Sequence, residues 1–325
     1  MNEKEVEQGS LENRKESHQD TLIHGTAADG TVRCMAAVTT NLVAEAERRH
    51  DLWPTAAAAL GRTLTGTLLL GSSLKELDRL TVQIMCDGPI GGITAEAKSH
   101  GRVRGYVRNP EADAPYNEMG KFDVRAVVGQ GMLYVTRESG YDVGLYREPY
   151  RGSVPLVSGE IAEDFAYYLT KSEQIPSGVL LGVHLQQEAP QEPPYVSAAG
   201  GMMIQMMPGA SEKTAGAIMA SARQMPQLTM MIREGARPVD LLRAALGDIE
   251  LEVLDEQQVS LACSCSYERT VSMISSIDRT VLESMLREDR GAVITCHFCN
   301  ETYRLDETEL MKAMNDERAV ATGNE

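Results

Sequence analysis

Four of the six cysteines occur in two short stretches near the end of the chain, "LACSCSYER" and "VITCHFCNE". These four residues are Cys263, Cys265, Cys296 and Cys299. The first pair has C-x-C spacing, the second has C-x-x-C spacing, and 30 residues separate the two pairs. Zinc accepts four thiolate ligands in tetrahedral geometry, and two close pairs at this separation can converge on one ion. The sequence therefore predicts one Zn²⁺ site per chain.

The spacing of these cysteines also predicts a redox response. The nearest thiol along the chain lies within the same pair, so we expect oxidation to give Cys263–Cys265 and Cys296–Cys299 disulfides. Cysteines joined in such disulfides no longer bind a metal as thiolates, and neither bridge spans the 30-residue gap. A crosslink over a gap of that size contributes about 3–4 kcal/mol in the loop-entropy description. Oxidation is therefore expected to unfold the C-terminal part of the chain.

Other interpretations of the cysteines remain open at this stage. Cys296 and Cys299 could serve a thiol–disulfide oxidoreductase, although that motif is normally followed by a helix and "NETYRL" is typical of a strand. The zinc site could instead be a static staple in a protein-binding adaptor. Cys34 and Cys86 stand alone in apolar patterns, where we favour buried free thiols. His297 is expected to be solvent-exposed and to influence thiol reactivity rather than bind the metal.

A group of methionines marks a second candidate site. Eight of the 17 methionines lie between residues 202 and 231. Methionine is flexible and polarizable, and it recurs on surfaces that accept many partners. We expect residues 202–207 to form a core strand, whereas Met225, Met230 and Met231 lie near helix breaks. Once their segment loosens, these three are candidates for an unselective surface that binds the hydrophobic parts of other proteins.

These sites must be positioned by an α+β fold in three parts. Residues 21–209 are expected to form an N-terminal domain of helices and antiparallel sheet, since alternating stretches such as "LTVQIMC" follow a helical region. Residues 210–258 are expected to form a metastable helical linker with little core of its own, broken at Pro226 and Pro238. Residues 259–325 are expected to form a small zinc-binding domain with the C-x-x-C at a hairpin turn.

Several local signals predict where helices begin and end. Thr40 or Asn41 is expected to cap the first helix, and Pro176 to end a helix over "EIAEDFAYYLTKSEQIP". Asp306 and Glu309 have the spacing of a capping box at the start of a closing helix.

The overall composition limits the classes of partner. The 325-residue chain has a formal net charge of −16, which disfavours nucleic acid and anionic membranes. From residue 259 onward, seven Lys/Arg stand against twelve Asp/Glu, unlike a phosphate-binding zinc ribbon. Residues 1–20 lack a signal-peptide pattern and are expected to be a disordered tail. Since no apolar run reaches the length of about 18 residues that a membrane span needs, we expect a cytoplasmic protein with reduced thiols.

Several stretches of the sequence resemble one known family. "CSCSYER" and "CHFCNETYRL" are similar to the C-terminal zinc signature of the thirty-three-kilodalton redox-regulated heat-shock chaperone family. The stretches "LTVQIMCDGPI", "YYLTKSEQIP", "AGGMMIQMMPGA" and "LGRTLTGTLLLGSSLK" resemble that family's N-terminal domain. The resemblance covers about residues 21–315 in order, and the first twenty residues have no counterpart.

The resemblance implies an ATP-independent holdase rather than an enzyme. By position, it implies that the four C-terminal cysteines bind zinc in a reduced, inactive form. Peroxide-type oxidants, usually with heat, would form the two local disulfides, release zinc and unfold the zinc domain and linker. The oxidised form would dimerise and hold unfolding client proteins until reducing conditions return.

Overall fold

The computed structural model describes residues 19–75, 78–118, 120–139, 149–189 and 191–312. Residues 1–18 of the predicted tail, and 313–325 of the predicted zinc domain, lie outside these described residues. The chain divides after Ala262 into two compact units, each of which is described by itself.

Helices and antiparallel strands alternate along the larger unit, which confirms the α+β class. Its helices are α1 Thr40–His50, α2 Pro54–Leu70, α3 Val124–Val128, α4 Ala162–Lys171, α5 Glu212–Gln224, α6 Leu228–Arg233 and α7 Pro238–Leu246. Its strands are β1 Thr21–Ala27, β2 Val32–Val38, β3 Arg79–Cys86, β4 Ile93–Lys98, β5 Arg102–Val107, β6 Gly131–Glu138, β7 Tyr150–Pro155, β8 Ser177–Gln186, β9 Tyr195–Met206, β10 Leu251–Gln258 and β11 Ser260–Leu261.

The strands form two sheets. One has five strands in the order β10-β1-β2-β9-β8, and the other has six in the order β11-β5-β4-β3-β6-β7. All pairings are antiparallel except that of β11, which runs parallel to β5. Helix α2 contacts strands of both sheets and is buried along almost its whole length. The main core therefore has α2 between the two sheets.

Glycines let α2 approach its neighbours closely. A Cβ on Gly61 would lie 2.5 Å from Val43 of α1, and one on Gly66 would lie 2.8 Å from the ring of Phe165 in α4. Any side chain at these positions would push the helix away from the core.

Two predicted helix boundaries are wrong. Neither Thr40 nor Asn41 caps α1: the helix is preceded by Thr39 without a side-chain cap. Instead, the distant carboxylate of Asp20 accepts hydrogen bonds from the backbone N–H groups of Asn41 at 3.2 Å and Leu42 at 2.7 Å. Helix α4 ends at Lys171, well before Pro176, so that proline does not terminate it.

Residues 210–258 form the connecting segment. Its helices pack on the face of the five-stranded sheet opposite α2. A second core joins this face to α5, α6 and α7. From the segment it takes Ile218, Ile232, Leu241, Leu242, Ala245 and Leu246. Pro226 lies between α5 and α6, and Pro238 is the first residue of α7, as predicted. The apolar side chains of the connecting segment are therefore buried against the five-stranded sheet. The segment itself contributes only the edge strand β10 to that sheet.

The smaller unit contains α8 Tyr267–Ser275, α9 Arg279–Glu288, β12 Gly291–Thr295 and β13 Thr302–Asp306, followed by a helical stretch at 307–312. Strands β12 and β13 form the predicted hairpin. The N–H of Glu309 donates to Asp306 Oδ1 and the N–H of Asp306 donates to Glu309 Oε2, each at 2.9 Å, so the predicted capping box is confirmed. Within the described part of this unit, which ends at residue 312, the buried apolar residues are few: Ile274, Leu282, Ala292, Leu305 and Leu310, with Cys299 also buried.

Candidate metal centre

The structure brings the four C-terminal thiols together. Cys263 and Cys265 lie in the segment before α8, and Cys296 and Cys299 lie at the turn of the β12–β13 hairpin. All four Sγ atoms lie within 4.8 Å of one another. Two of the separations are 3.7 Å for Cys263–Cys296 and 3.3 Å for Cys265–Cys299. Four thiolates around zinc at about 2.3 Å would be about 3.8 Å apart in a tetrahedron, so the cluster can hold one such ion.

The hairpin turn fixes the second pair through its backbone. The N–H of Cys296 donates to Glu301 O at 2.9 Å, and the Cys296 carbonyl accepts from Asn300 at 2.8 Å. Asn300 has a φ of 56°, a left-handed conformation that asparagine tolerates better than most residues. The chain therefore reverses tightly, and the Sγ atoms of Cys296 and Cys299 reach the same point.

Helix α8 fixes the first pair. Ser266 caps this helix by accepting a hydrogen bond from the N–H of Arg269 at 3.2 Å. The guanidinium of Arg269 donates to the carbonyl of Ser264, between the two cysteines, at 2.7 Å. The C-x-C segment is thus held against the start of a helix, which limits the positions that Cys263 and Cys265 can take.

The thiols of Cys296 and Cys299 lie where their neutral forms are favoured unless a cation is present. Burial raises the pKa of the Cys296 thiol, and burial together with the adjoining thiols raises the pKa of Cys299 well above the usual range. A divalent metal reverses this preference because it binds the deprotonated sulfur. The donor set therefore fits a soft or borderline cation such as zinc, and binding should release protons.

Tyr303 is a contact of the centre that the sequence did not suggest. Its hydroxyl donates to Cys265 Sγ at 3.2 Å. Tyr303 stands opposite Ile294 in the hairpin. Such a donor beside a metal-bound thiolate would fix its orientation. Its position four residues after Cys299, on the strand that follows the turn, is the sequence feature that could have indicated this contact.

Cys34 and His297 lie as expected, whereas Cys86 is less buried than predicted. Cys34 is fully buried in β2, and Cys86 is half-buried at the end of β3. His297 is exposed at the hairpin turn. The chain continues after Cys299 into β13 rather than into a helix, so the C-x-x-C does not occupy the strand–helix setting of thioredoxin-like enzymes.

The methionines are divided between core and surface. Met202 and Met203 are at most 1% exposed, which confirms that they fill the core. Met225 and Met231 are half-buried against the second core, whereas Met230 is already 47% exposed. Among the three predicted client-binding residues, Met225 and Met231 are therefore those whose exposure can increase most. No helix within the described residues combines the length and apolar character needed to cross a membrane.

Comparisons with known proteins agree with this architecture. A family model described as "Hsp33 protein" matches residues 20–306. The "33 kDa chaperonin" of Desulforamulus reducens is 43% identical over 296 residues, covering 91% of this chain and 97% of its own length. That of Listeria monocytogenes serovar 1/2a is 44% identical over 294 residues, covering 90% and 97%. The crystal structure of the 33 kDa chaperonin (heat shock protein 33 homolog) from Thermotoga maritima superposes with a TM-score of 0.82 at 34% identity, over 93% of this chain and 100% of that one.

Proposed function

This chain belongs to the Hsp33 family, whose members are named as chaperones, and we propose that it is a redox-regulated, ATP-independent holdase. The observation that carries the proposal is the convergence of four thiols from two segments within 4.8 Å. A smaller unit with so few buried apolar residues depends on that cluster for its fold. Reversible thiol chemistry at the cluster would then control whether the unit is folded.

In the reduced form, Cys263, Cys265, Cys296 and Cys299 bind one Zn²⁺ as thiolates. Bound zinc supplies the divalent charge that stabilises these thiolates and ties the C-x-C segment to the hairpin. Folding of the smaller unit is therefore linked to metal binding. In this state the unit is ordered and the chaperone is inactive.

Oxidation converts the thiol pairs to disulfides. Each disulfide forms from two thiols that lose two electrons and two protons, and one hydrogen peroxide takes these up and becomes two water molecules. We propose that the pairs are Cys263 with Cys265 and Cys296 with Cys299. Neither bridge joins the C-x-C segment to the hairpin, so the smaller unit loses the connection that closed its 30-residue loop.

The separations of the sulfur atoms leave a competing pairing to be tested. Cys263 lies near Cys296 and Cys265 near Cys299, and disulfides with those pairings would preserve the link across the gap. Two considerations favour the local pairs. In a four-ligand cluster all sulfurs are close, so small differences in distance decide little. Once the unit loosens, only cysteines close in sequence stay near each other, since loop closure becomes less probable as the loop lengthens.

Unfolding of the smaller unit would extend into residues 210–258. Helix α5 has one buried residue, Ile218, and α6 also has one, Ile232. Each buried side chain of this type contributes about 1.5–3 kcal/mol. These two helices are therefore weakly held. Their release would uncover Met225, Met231 and the apolar sheet face beneath them.

We propose that the uncovered surfaces bind the apolar parts of unfolding client proteins, and that the active form is a homodimer. The chain would work in the cytoplasm, where reducing conditions keep the thiols available and allow the disulfides to be reversed. No ATP-driven step is needed, because the change in client affinity comes from the redox state.

The decisive experiment follows zinc and chaperone activity together. Reduced protein should carry one zinc per chain and should not suppress aggregation of a thermally unfolded client. Peroxide at elevated temperature should remove about four thiols, release the zinc and produce suppression. A Cys86→Ser variant is the matched control, since Cys86 lies in the larger unit and should respond like wild type. Zinc retention under peroxide, or equal suppression before and after treatment, would contradict the proposal.

A further inference from the structure

One face of the six-stranded sheet carries a concentration of positive charge. Leu80, Val82 and Ala95 point into the core, and the alternate positions of the same strands form the opposite face. The cations on that opposite face are Arg79, Lys98, Arg102, Arg104 and Arg151. Its carboxylates are Glu96 and Glu138. In a chain with a net charge of −16, five cations beside two carboxylates on one surface need an explanation.

Three of these cations stand in one row across neighbouring strands. Lys98 of β4 is directly opposite Arg79 of β3 on one side and Arg102 of β5 on the other. Neighbouring strands are about 4.8 Å apart, so the row spans about 10 Å. Like charges directly opposite each other destabilise a sheet. The row is therefore a local conflict with stability, of the type that is expected at functional sites.

A single buried carboxylate only partly compensates this charge. Glu96 is 4% exposed, and its oxygens lie 2.8 Å from Arg104, 3.6 Å from Arg79 and 3.8 Å from Lys98. Burial lowers the pKa of Lys98; Glu96 opposes that effect, and Arg104, Arg79 and Arg102 add to it. Glu138 is directly opposite Arg79 and lies 3.7 Å from it. Two negative charges therefore stand against the five cations, and this face keeps a positive potential.

The geometry points to a binding site for a linear oligophosphate, the triphosphate group in particular, formed by the row Arg79, Lys98 and Arg102. Arginine forks bind phosphate oxygens in bidentate fashion, and lysine adds a point charge. The side chains of Arg79 and Lys98 are 43% and 24% exposed, and Arg102 is exposed, so an anion can reach them. A bound triphosphate would offset the repulsion along the row.

The spacing favours phosphate over an acidic peptide. Same-face side chains of an extended peptide repeat at about 6.6 Å, whereas the cations of the row repeat at about 4.8 Å. A chain of phosphate groups carries its charges closer together and can contact all three cations at once. The net charge of the protein does not prevent this, because charges beyond the Debye length of about 8 Å at physiological salt are largely screened.

Titration calorimetry of the reduced, full-length protein with inorganic triphosphate tests the site. Wild type should bind it with an affinity that falls as salt rises. A variant carrying Arg79→Ala and Arg102→Ala should bind at least tenfold more weakly, while its far-ultraviolet circular dichroism should match that of wild type, because Glu96 keeps Arg104 at 2.8 Å and Lys98 at 3.8 Å. Arg48→Ala is the matched control: Arg48 lies on α1 with a side chain that is 71% exposed, and this variant should bind triphosphate like wild type.

Two further arms identify what is recognised. ATP should bind within about threefold of inorganic triphosphate, because the row contacts phosphates. Binding of ATP alone would mean that the nucleoside is recognised and would overturn the proposal. The proposal would also be wrong if hexaglutamate competed as well as triphosphate, or if the double variant bound like wild type. None of these outcomes depends on chaperone activity, so the oligophosphate site and the redox switch are tested separately.

Discussion

The Sγ atoms of Cys265 and Cys299 lie 3.3 Å apart although the residues are 34 positions apart in the chain. Such a contact must be held by something other than chain connectivity. The surrounding core is small, and Cys299 is 3% exposed within it. The proposed zinc site accounts for the contact, and it makes the fold of the smaller unit depend on the metal.

Replacing Cys299 with serine should therefore unfold the smaller unit. We expect zinc content to fall well below one per chain, and amide exchange in α8 and α9 to lose its protection. The larger unit should stay protected, since it has its own cores. Cys86→Ser should retain both zinc and protection. Full protection of α8 and α9 in metal-free Cys299→Ser would show that the apolar core alone holds this unit.

Peptide mapping of peroxide-treated protein should find disulfides within each pair. Proteolysis between Cys265 and Cys296 then gives separate peptides without reduction. If the major product instead joins Cys263 to Cys296, and Cys265 to Cys299, the reduced geometry would dictate the pairing. The unit would stay linked across its loop, and the proposed unfolding would lose its cause.

Weakening one helix anchor should lower the requirement for oxidation. Ile232 is the buried residue of α6 and is 8% exposed. Ile→Ala changes at buried sites lower the free energy of unfolding by about 2–5 kcal/mol. Ile232→Ala should suppress client aggregation partly in the reduced, zinc-bound form, measured by light scattering. Met230→Ala on the same helix is the control, because Met230 is 47% exposed and little packing is lost. Identical activity of the reduced Ile232→Ala protein and reduced wild type would argue against client binding through release of this segment.

The larger unit should show an acid-dependent stability that originates at Asp20. Burial raises the pKa of this carboxyl to about 6, against hydrogen bonds from Leu42 and Asn41 that lower it. Its folded-state pKa exceeds the ordinary value of 3.8. Its contribution to stability is therefore fully present below the unfolded pKa and is lost as pH rises through about 6.

Asp20→Asn removes this titration while keeping a side-chain oxygen that can accept from α1. Between pH 4 and pH 7, the free energy of unfolding of wild type should fall relative to that of the variant by about 2.4 kcal/mol. Urea unfolding followed by the fluorescence of Trp53, the single tryptophan, measures this difference. Parallel pH profiles for the two proteins would assign the pH dependence to other groups.

Features that depend on residues close together in the sequence were predicted, whereas features that depend on tertiary contacts were not. The cysteine pairs and the capping box at Asp306 are set by spacing along the chain, and both could be identified from residue types. The cap of α1 could not, because Asp20 comes from another element and its role depends on tertiary packing. The cationic row also could not, since it requires the register that sets Lys98 between Arg79 and Arg102.

The sequence also did not predict where α4 ends or which of the methionine side chains are exposed. Pro176 suggested where α4 must already have ended but not where it does end, because the last turn closes earlier through Ser172 N–H to Tyr168 O. The methionines in residues 225–231 indicated a candidate binding surface, yet the sequence gave no way to distinguish the exposed Met230 from the half-buried Met231 beside it.

Strand β10 closes the connecting segment and is also an edge of the five-stranded sheet, paired with β1 along its length. Its departure with the rest of the segment would leave one side of β1 with unpaired N–H and C=O groups. An extended polypeptide can add to such an edge through main-chain hydrogen bonds alone. Those groups are the same in every protein. A β1 edge opened in this way would accept any client backbone regardless of its sequence, while the methionines nearby supply the adhesion that varies from client to client.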